Sequence, residues 1–325
     1  VYESMHRADT IGIFQVESAA QMQTIIRIKP RNLVEMAYEV AAVRPGVGVN
    51  NGVSQFIDRH VYGVPWDYDH PLEARALERT LGVILFQDQV NQLAVDVAGF
   101  SPKEADDLRR AFGRKNNAGL LKMYRDRFNR GAAELGVSSS AAKKVFKKFS
   151  GQYMFPESHA YAFGITAYQM AWMKYYYPLE FYVAIFNQQP MGFYNLETLK
   201  EDANHHGIKV LNPDINESIA KCSIVDDDSF ILGLLNVTGL GKANADAIVN
   251  AREHGGAFHS LADAMRRMGL QRKAIESLVS AGAFDSIVPD RRSALWEVGL
   301  LYRPAGAQQA LPLPVDQDMV QLPVM

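Results

Sequence analysis

Between residues 87 and 97 the apolar side chains Val90, Leu93, Ala94 and Val97 recur three or four positions apart, which gathers them on one helical face turned toward a core. The five residues before this pattern, Gly82 to Phe86 (GVILF), are apolar without a helical period, so they predict a short buried strand or extended segment. After it, Ser101-Pro102-Lys103-Glu104 combines an N-cap hydroxyl, a proline at the first helical position and an early acidic residue, a good helix start. The helix begun there carries Arg109 and Arg110 near its end, with Gly113 as the C-cap, and projects both guanidinium groups from a rigid element. Further helices are predicted over 17–28, 33–43, 120–135, 140–149 and 158–176, with another between Pro178 and Pro190. The one ending at Val43 stops at Arg44-Pro45-Gly46, because a proline disfavours helical backbone in the residue before it. Gly46, Gly48, Asn50, Asn51 and Gly52 then form a flexible loop. Such a run brings backbone N–H groups close to a ligand without steric cost, but taken alone it reads as a solvent-exposed connection.

In the stretch 158–176, His159, Phe163, Thr166 and Met170 share one stripe while Tyr161, Ile165, Tyr168 and Trp172 lie on the other side. Aromatics on both faces predict a helix buried on both sides. Met191-Gly192-Phe193-Tyr194 reads as a boundary, and beyond it the pattern shortens to strands over 208–211, 222–225 and 230–234 around a turn at Asp226-Asp227-Asp228. Three adjacent aspartates are candidate metal ligands, though an acidic turn tip is the better reading. The fold class is therefore mainly α, a helical region followed by a small α+β region.

Composition changes this picture little until charge is mapped. The 325 residues are 48% hydrophobic and 22% charged, with a net charge of −2, which describes a globular chain with room for two or more cores. No apolar run reaches the ~18 to 20 residues of a spanning helix. The single cysteine, Cys222, cannot form an internal disulfide and no Cys/His cluster has zinc spacing, so a reducing, cytoplasmic setting is expected. The chain begins at Val1 with neither an initiator Met nor a signal-peptide pattern, and is read as a piece of something longer. Its positive charge is concentrated: residues 103–148 hold 13 Lys or Arg against five Asp or Glu, an excess of eight inside a nearly neutral protein. A compact cationic surface of this kind points to a polyanion, either nucleic acid or nucleotide phosphate.

A second constellation is Val237-Thr238-Gly239-Leu240-Gly241-Lys242 ahead of a helix over 243–252. A Gly-x-Gly hairpin that opens a helix offers backbone N–H groups and a helix N-terminus to an anion, and Lys242 adds charge. The apolar residue before each glycine makes this a helix-hairpin-helix pattern, which grips DNA phosphates without reading sequence. It lacks the spacing of a phosphate-binding P-loop, and no Rossmann fingerprint occurs, so a small-molecule nucleotide enzyme is disfavoured. A degraded second copy spans Gln271 to Phe284, and the Pro- and Gln-rich stretch from Pro304 to Met325 reads as a linker.

These residues, in this order, resemble the bacterial C-family DNA polymerases related to the polymerase III alpha subunit. The matching runs are GIFQVES at 12–18, VRPG at 43–46, FIDR at 56–59, GVILFQDQV at 82–90, ADDLRRAFGRK at 105–115, SHAYAFGITAYQMAWMKYYYPLEF at 158–181 and the hairpin at 237–242. Phe155-Pro156-Glu157-Ser158-His159 and Asn187 to Tyr194 resemble the error-prone, damage-inducible branch. Replicative members usually have Asn-Lys in place of Pro156-Glu157, so a basic side chain near the nucleotide has become acidic.

The resemblance implies a division into 1–194, palm boundary and fingers; 195–290, a DNA-binding region with the helix-hairpin-helix; and 291–325, a helix and Pro/Gln-rich linker. It implies that Arg109 and Arg110, with Lys115, bind the triphosphate of an incoming dNTP, and that His159 stands against the sugar as a steric gate. Without the family match, a lone His in an aromatic helix reads as a packed core residue. Gly239, Gly241 and Lys242, with Lys143, Lys144, Lys147 and Lys148, are the expected contacts to template-primer DNA. The family's catalytic aspartates, an Asp-x-Asp pair and a third Asp that hold Mg2+, lie in the palm and are expected upstream of this chain, so the chain alone is expected to be inactive. Asp67-Tyr68-Asp69 has the spacing but sits in a Trp- and Pro-containing loop. A sliding clamp and accessory translesion proteins are the further partners implied. Gln309-Ala310-Leu311-Pro312-Leu313 only loosely follows the clamp-ligand pattern, without its terminal aromatic. The alternative is a non-catalytic DNA-binding scaffold related to polymerase fingers.

Overall fold

The computed structural model describes residues 1–43, 51–114, 117–149, 155–192 and 194–302. The expected helix stop at Arg44-Pro45-Gly46, the loop positions Gly46, Gly48 and Asn50, Lys115, and the tail from Pro304 with its clamp-like segment lie outside those residues. The chain divides into two compact units, Val1–Tyr182 with Pro190–Asp202, and Val183–Gln189 with the residues from Ala203 onward.

The first unit opens with α1 (Tyr2–His6), α2 (Ala19–Ile28), α3 (Leu33–Ala42) and α4 (Asn51–Tyr62). Local chemistry sets the starts of α2 and α3: Ser18 closes a capping box with Gln21, and the side chain of Asn32 accepts the backbone N–H of Glu35 at 2.9 Å. The expected flexible loop through Gly52 is corrected at its end, since Asn51 and Gly52 already belong to α4. The reason lies just beyond them, where Val53, Phe56 and Ile57 fall on one helical face and are almost fully buried.

A short α5 (Ala74–Leu77) follows, and then the GVILF segment, in which Val83 to Phe86 are buried as expected, while Gly82 lies in a turn (φ +77°) and Phe86 has extended backbone. Phe86 at its end forms a single parallel bridge with Phe155. In α6 (Gln87–Ala98) the four expected core residues, Val90, Leu93, Ala94 and Val97, are fully buried. The start of α7 (Pro102–Phe112) has the predicted N-cap at Ser101, which closes a capping box with Glu104, while Gly113 caps its end in a right-handed rather than a left-handed conformation (φ −80°). With α8 (Ala118–Glu134) and α9 (Ser139–Lys148), these helices enclose one core, in which the Phe128 ring lies 5.4 Å from Phe146 and 5.5 Å from Phe149.

The long α10 (Glu157–Tyr176) departs from expectation. Its buried residues are Ala160, Gly164, Ala167, Ala171 and Lys174, one narrow stripe of mostly small side chains, while Ile165, Trp172, Tyr175 and Tyr176 are exposed. Burial on both sides is therefore not found. The stripe packs against α3, and small residues there allow two backbones to approach closely. A Cβ placed on Gly164 would stand 3.1 Å from the Ala37 nitrogen and 3.2 Å from the Met36 carbonyl carbon. Gly164→Val is accordingly expected to destabilise the chain by about 1–3 kcal/mol through overpacking against backbone that has no side-chain freedom to yield. Thermal unfolding checks this, and an unchanged midpoint would mean that α3 moves aside at no cost.

Two further helices, α11 (Pro178–Asn187) and α12 (Leu196–His205), precede a three-stranded sheet in the second unit. Its strands, β1 (Lys209–Leu211), β2 (Ser223–Asp226) and β3 (Ser229–Ile231), run in the order β1-β3-β2, with β1 parallel and β2 antiparallel to β3. Of the three aspartates, Asp226 ends β2, and Asp227 and Asp228 form the turn to β3. Asp226 accepts the backbone N–H of Asp228 at 3.0 Å, and Asp228 pairs with Lys209 at 2.9 Å. Helices α13 (Gly241–Gly255), α14 (Leu261–Met268), α15 (Arg272–Ser280) and α16 (Arg291–Leu301) then bury Leu240, Ile248, Leu261, Ile275, Leu278 and Val298 in a common core. Among the described residues, no helix is long and apolar enough to cross a membrane.

Candidate functional site

The last turn of α7 carries Arg109 and Arg110 side by side, three and four residues after Asp106. Arg109 donates from Nε and Nη2 to one oxygen of Asp106, at 3.1 and 2.7 Å, and Arg110 reaches the other oxygen at 2.8 Å. One carboxylate thus holds two guanidinium groups that would otherwise repel each other, and the hydrogen bonds from Arg109 keep the Asp106 carboxyl below its ordinary pKa. Both cations also sit at a helix C-terminus, where the backbone dipole favours positive charge. The Arg110 side chain is 63% exposed and that of Arg109 28%, so Arg110 is the freer of the two. Arg109 makes one more contact, donating from Nη1 to Oε1 of Gln87 at 3.1 Å.

Gln87 begins α6, and the same short stretch receives the start of α10. The Gln87 backbone N–H donates to the Phe155 carbonyl at 3.1 Å, and the Glu157 N–H donates to Oδ2 of Asp88 at 2.7 Å. Pro156 stands at the N-cap of α10 and provides no side-chain cap, so Asp88 provides one from another helix. Glu157 is matched in turn by Arg79, whose Nε and Nη2 donate to its two oxygens at 2.9 and 2.8 Å. His159, in the first turn of α10, is exposed and lies edge-on to Phe163 at 6.2 Å; it is not a core residue. The structure therefore joins the end of α7 to the beginning of α10 through Gln87, while Lys115 lies outside the described residues.

The lysines of α9 divide. Lys143 and Lys147 are exposed. Lys144 is largely exposed, with its ammonium 3.4 Å from Asp69. Lys148 is turned inward, 2.6 Å from the fully buried Glu73 and 2.9 Å from Asp69. A buried carboxylate that loses its cation is strongly destabilising, so Lys148 anchors the fold rather than extending an outer cationic face. The same contacts engage Asp69, and Oδ1 of Asp67 accepts the N–H of Tyr68 at 2.8 Å.

In the second unit, Gly239 and Gly241 have φ of +78° and +70°, and the space where a side chain would stand is open at both. Lys242 is 81% exposed, its ammonium 3.7 Å from Asp246. The second hairpin differs. Gly282 has φ +87°, but a side chain there would strike Arg291, which is paired with Asp285 at 2.5 Å. That ion pair closes the second hairpin and leaves the first open. Between the two, Asn236, Val237 and Thr238 face Lys273, Ser277 and Ser280 across a polar groove of about 380 Å³.

Residues 1–136 match the bacterial DNA polymerase III alpha subunit finger domain, and residues 207–294 match a helix-hairpin-helix motif. Over residues 1–136 the chain is therefore similar to a polymerase III alpha-type finger domain. It is 40% identical over 315 residues to the error-prone DNA polymerase of Nocardia farcinica, an alignment covering 93% of this chain and 28% of that protein. It is 41% identical over 303 residues to the error-prone DNA polymerase of Mycobacterium tuberculosis, covering 92% of this chain and again 28% of the relative. The chain thus spans less than a third of the length of these relatives.

Within the finger domain, Asp106, Gln87, Asp88 and Arg79 were not singled out by the sequence pattern. For Asp106 the signal was present, an acid three and four positions before two arginines on one helix. For Gln87, Asp88 and Arg79 it was not, since their partners lie 22, 69 and 78 residues away.

Proposed function

We propose that the protein to which this chain belongs is an error-prone DNA-directed DNA polymerase that carries out damage-induced translesion synthesis. In it, this chain binds the incoming dNTP and the template-primer DNA. The observation that carries the reading is the arginine pair held on Asp106 at the end of α7, beside the start of the His159 helix. Two adjacent guanidinium groups on a rigid helix suit a triphosphate, and fixing the phosphates in line is most of what a protein contributes to phosphoryl transfer. Arg109 and Arg110 take the triphosphate, with Lys115 as a third cation, and His159 faces the sugar. Gly239, Gly241 and Lys242, with Lys143, Lys147 and the outer part of Lys144, contact DNA phosphates. Mg2+ would be held by palm aspartates outside this chain; when bound, it activates the primer 3′-OH and neutralises developing charge. A sliding clamp, accessory translesion proteins and a cytoplasmic location complete the proposal.

Primer extension by the full-length protein past a template lesion tests it; extension that stops at the lesion and never enters it overturns the translesion assignment. His159→Ala is expected to increase ribonucleotide insertion relative to deoxynucleotide insertion, and unaltered sugar discrimination would refute the gate. For the DNA-facing surface, the affinity of the chain for primer-template is expected to fall steeply with salt, because each neutralised phosphate releases counterions. Affinity that is flat between low and physiological salt contradicts a phosphate-binding face.

A further inference from the structure

Three side chains of the FQDQ run at 86–89 are committed to specific partners. Gln89 is fully buried and accepts the backbone N–H groups of Leu85 and Phe86 at 2.8 and 2.9 Å. It also donates to the Ala76 carbonyl and Thr80 Oγ1, at 2.9 and 2.7 Å. That bonding fixes the backbone at the start of α6. Gln87 and Asp88, the next residues outward, are thereby held at a defined place, and each reaches a different part of the proposed nucleotide site.

Gln87 meets Arg109 from the side opposite Asp106. With Nε and Nη2 on Asp106 and Nη1 on Gln87, the guanidinium is held on two sides and its plane is set before any anion arrives. Asp88 caps α10, and the Gln87 N–H holds the Phe155 carbonyl just ahead of it, so the first turn of the His159 helix is tied to the same two residues. The pair Arg79–Glu157 adds a second tie one residue into α10.

We propose that Gln87 and Asp88 are positioning residues that keep the triphosphate-binding arginine and the sugar-facing helix in a fixed mutual arrangement, Gln87 through the Arg109 side chain and Asp88 through the α10 N-terminus. The inference rests on the reading that Arg109 binds the triphosphate and His159 faces the sugar. Neither positioning residue touches the nucleotide. Their effect is on how well the site is organised before binding, which appears in KM and in sugar selection rather than in the chemical step.

The test uses the full-length polymerase with Mg2+, primer-template and single-nucleotide insertion kinetics. Gln87→Leu removes the acceptor and is expected to raise the dNTP KM by about 3- to 10-fold, the effect of losing one hydrogen bond, with kcat within about 2-fold of its original value. Gln87→Glu restores an acceptor oxygen at that place and recovers most of the loss. Asp88→Ala shifts the ratio of dNTP to rNTP insertion by several-fold, and Asp88→Asn, which retains an oxygen for the Glu157 N–H, reverses the shift. Arg109→Ala separates the two levels of the argument. If it leaves KM unchanged, the triphosphate reading itself fails. If it raises KM while Gln87→Leu does not, the reading stands and the positioning role is wrong. In an Arg109→Ala background, Gln87→Leu should add nothing further to KM, and a full additional effect overturns the proposed route. Should Gln87→Leu fold poorly, Gln87→Asn, which withdraws the acceptor by one methylene, serves for the same comparison.

Discussion

If the full-length protein is the polymerase proposed, Arg109→Ala in it is expected to lower kcat/KM for all four deoxynucleotides by about 10- to 150-fold, as a rise in KM together with a fall in kcat. The range follows from the ~1.5–3 kcal/mol contributed by a hydrogen bond to a charged group. The fold should survive, because α7 is held to its neighbours by Ala105, Leu108 and Ala111, which are buried, and not by its arginines. Asp106 would keep Arg110 as its partner, so no carboxylate is left alone. Loss of rate without loss of thermal stability is therefore the signature, and single-nucleotide insertion kinetics alongside a melting curve measures both. Unchanged kinetics with every nucleotide would remove Arg109 from the triphosphate site.

The second large effect concerns stability. Lys174, in the buried stripe of α10, is only 2% exposed. Its ammonium lies 2.7 Å from Asp9 and 2.8 Å from Asp202, and donates to the Ile11 carbonyl at 3.1 Å. Tyr182 adds a hydrogen bond from its hydroxyl to Asp202 at 2.7 Å, and burial together with that carboxylate pushes its own pKa far above the ordinary value. Lys174→Met keeps the length and apolar stem but removes the ammonium that Asp9 and Asp202 share. Breaking a buried pair in this way costs about 3–5 kcal/mol. Urea denaturation of the chain should show a loss of that order in unfolding free energy, and a loss below about 1 kcal/mol would mean that water already screens the group.

Much of this architecture could be read from local chemistry. The N-cap at Ser101, the buried face of α6 and the buried GVILF segment depend on residues within one or two turns of each other, and the sequence displays such relations directly. The open hairpin at Gly239 belongs with them, since positive φ and a following helix leave a short, recognisable trace. What could not be read is relational. Lys174 stands amid aromatic residues as a lone charge, and only the fold brings Asp9 and Asp202 to it from 165 residues before and 28 residues after in the chain. Lys148 counted toward a cationic surface until Glu73 and Asp69 were found against it. The aromatic content of α10 suggested burial on two sides, because apolar character shows that a residue can be buried without showing that this part of the chain has anything to cover it.

The narrow contact stripe of α10 also allows fold and function to be told apart by mutation. Of the 20 residues in this helix only five are buried, so most of its surface can change without disturbing the packing on α3. Substitutions at the five, and at the partly buried Tyr161, Phe163, Tyr168 and Met170, should be read out as melting temperature, and those at the exposed positions as rate or binding. An exposed position that tolerates no change while the melting curve stays still thereby reports a molecular contact made outside this chain, which turns a helix scan into a map of what its neighbours touch.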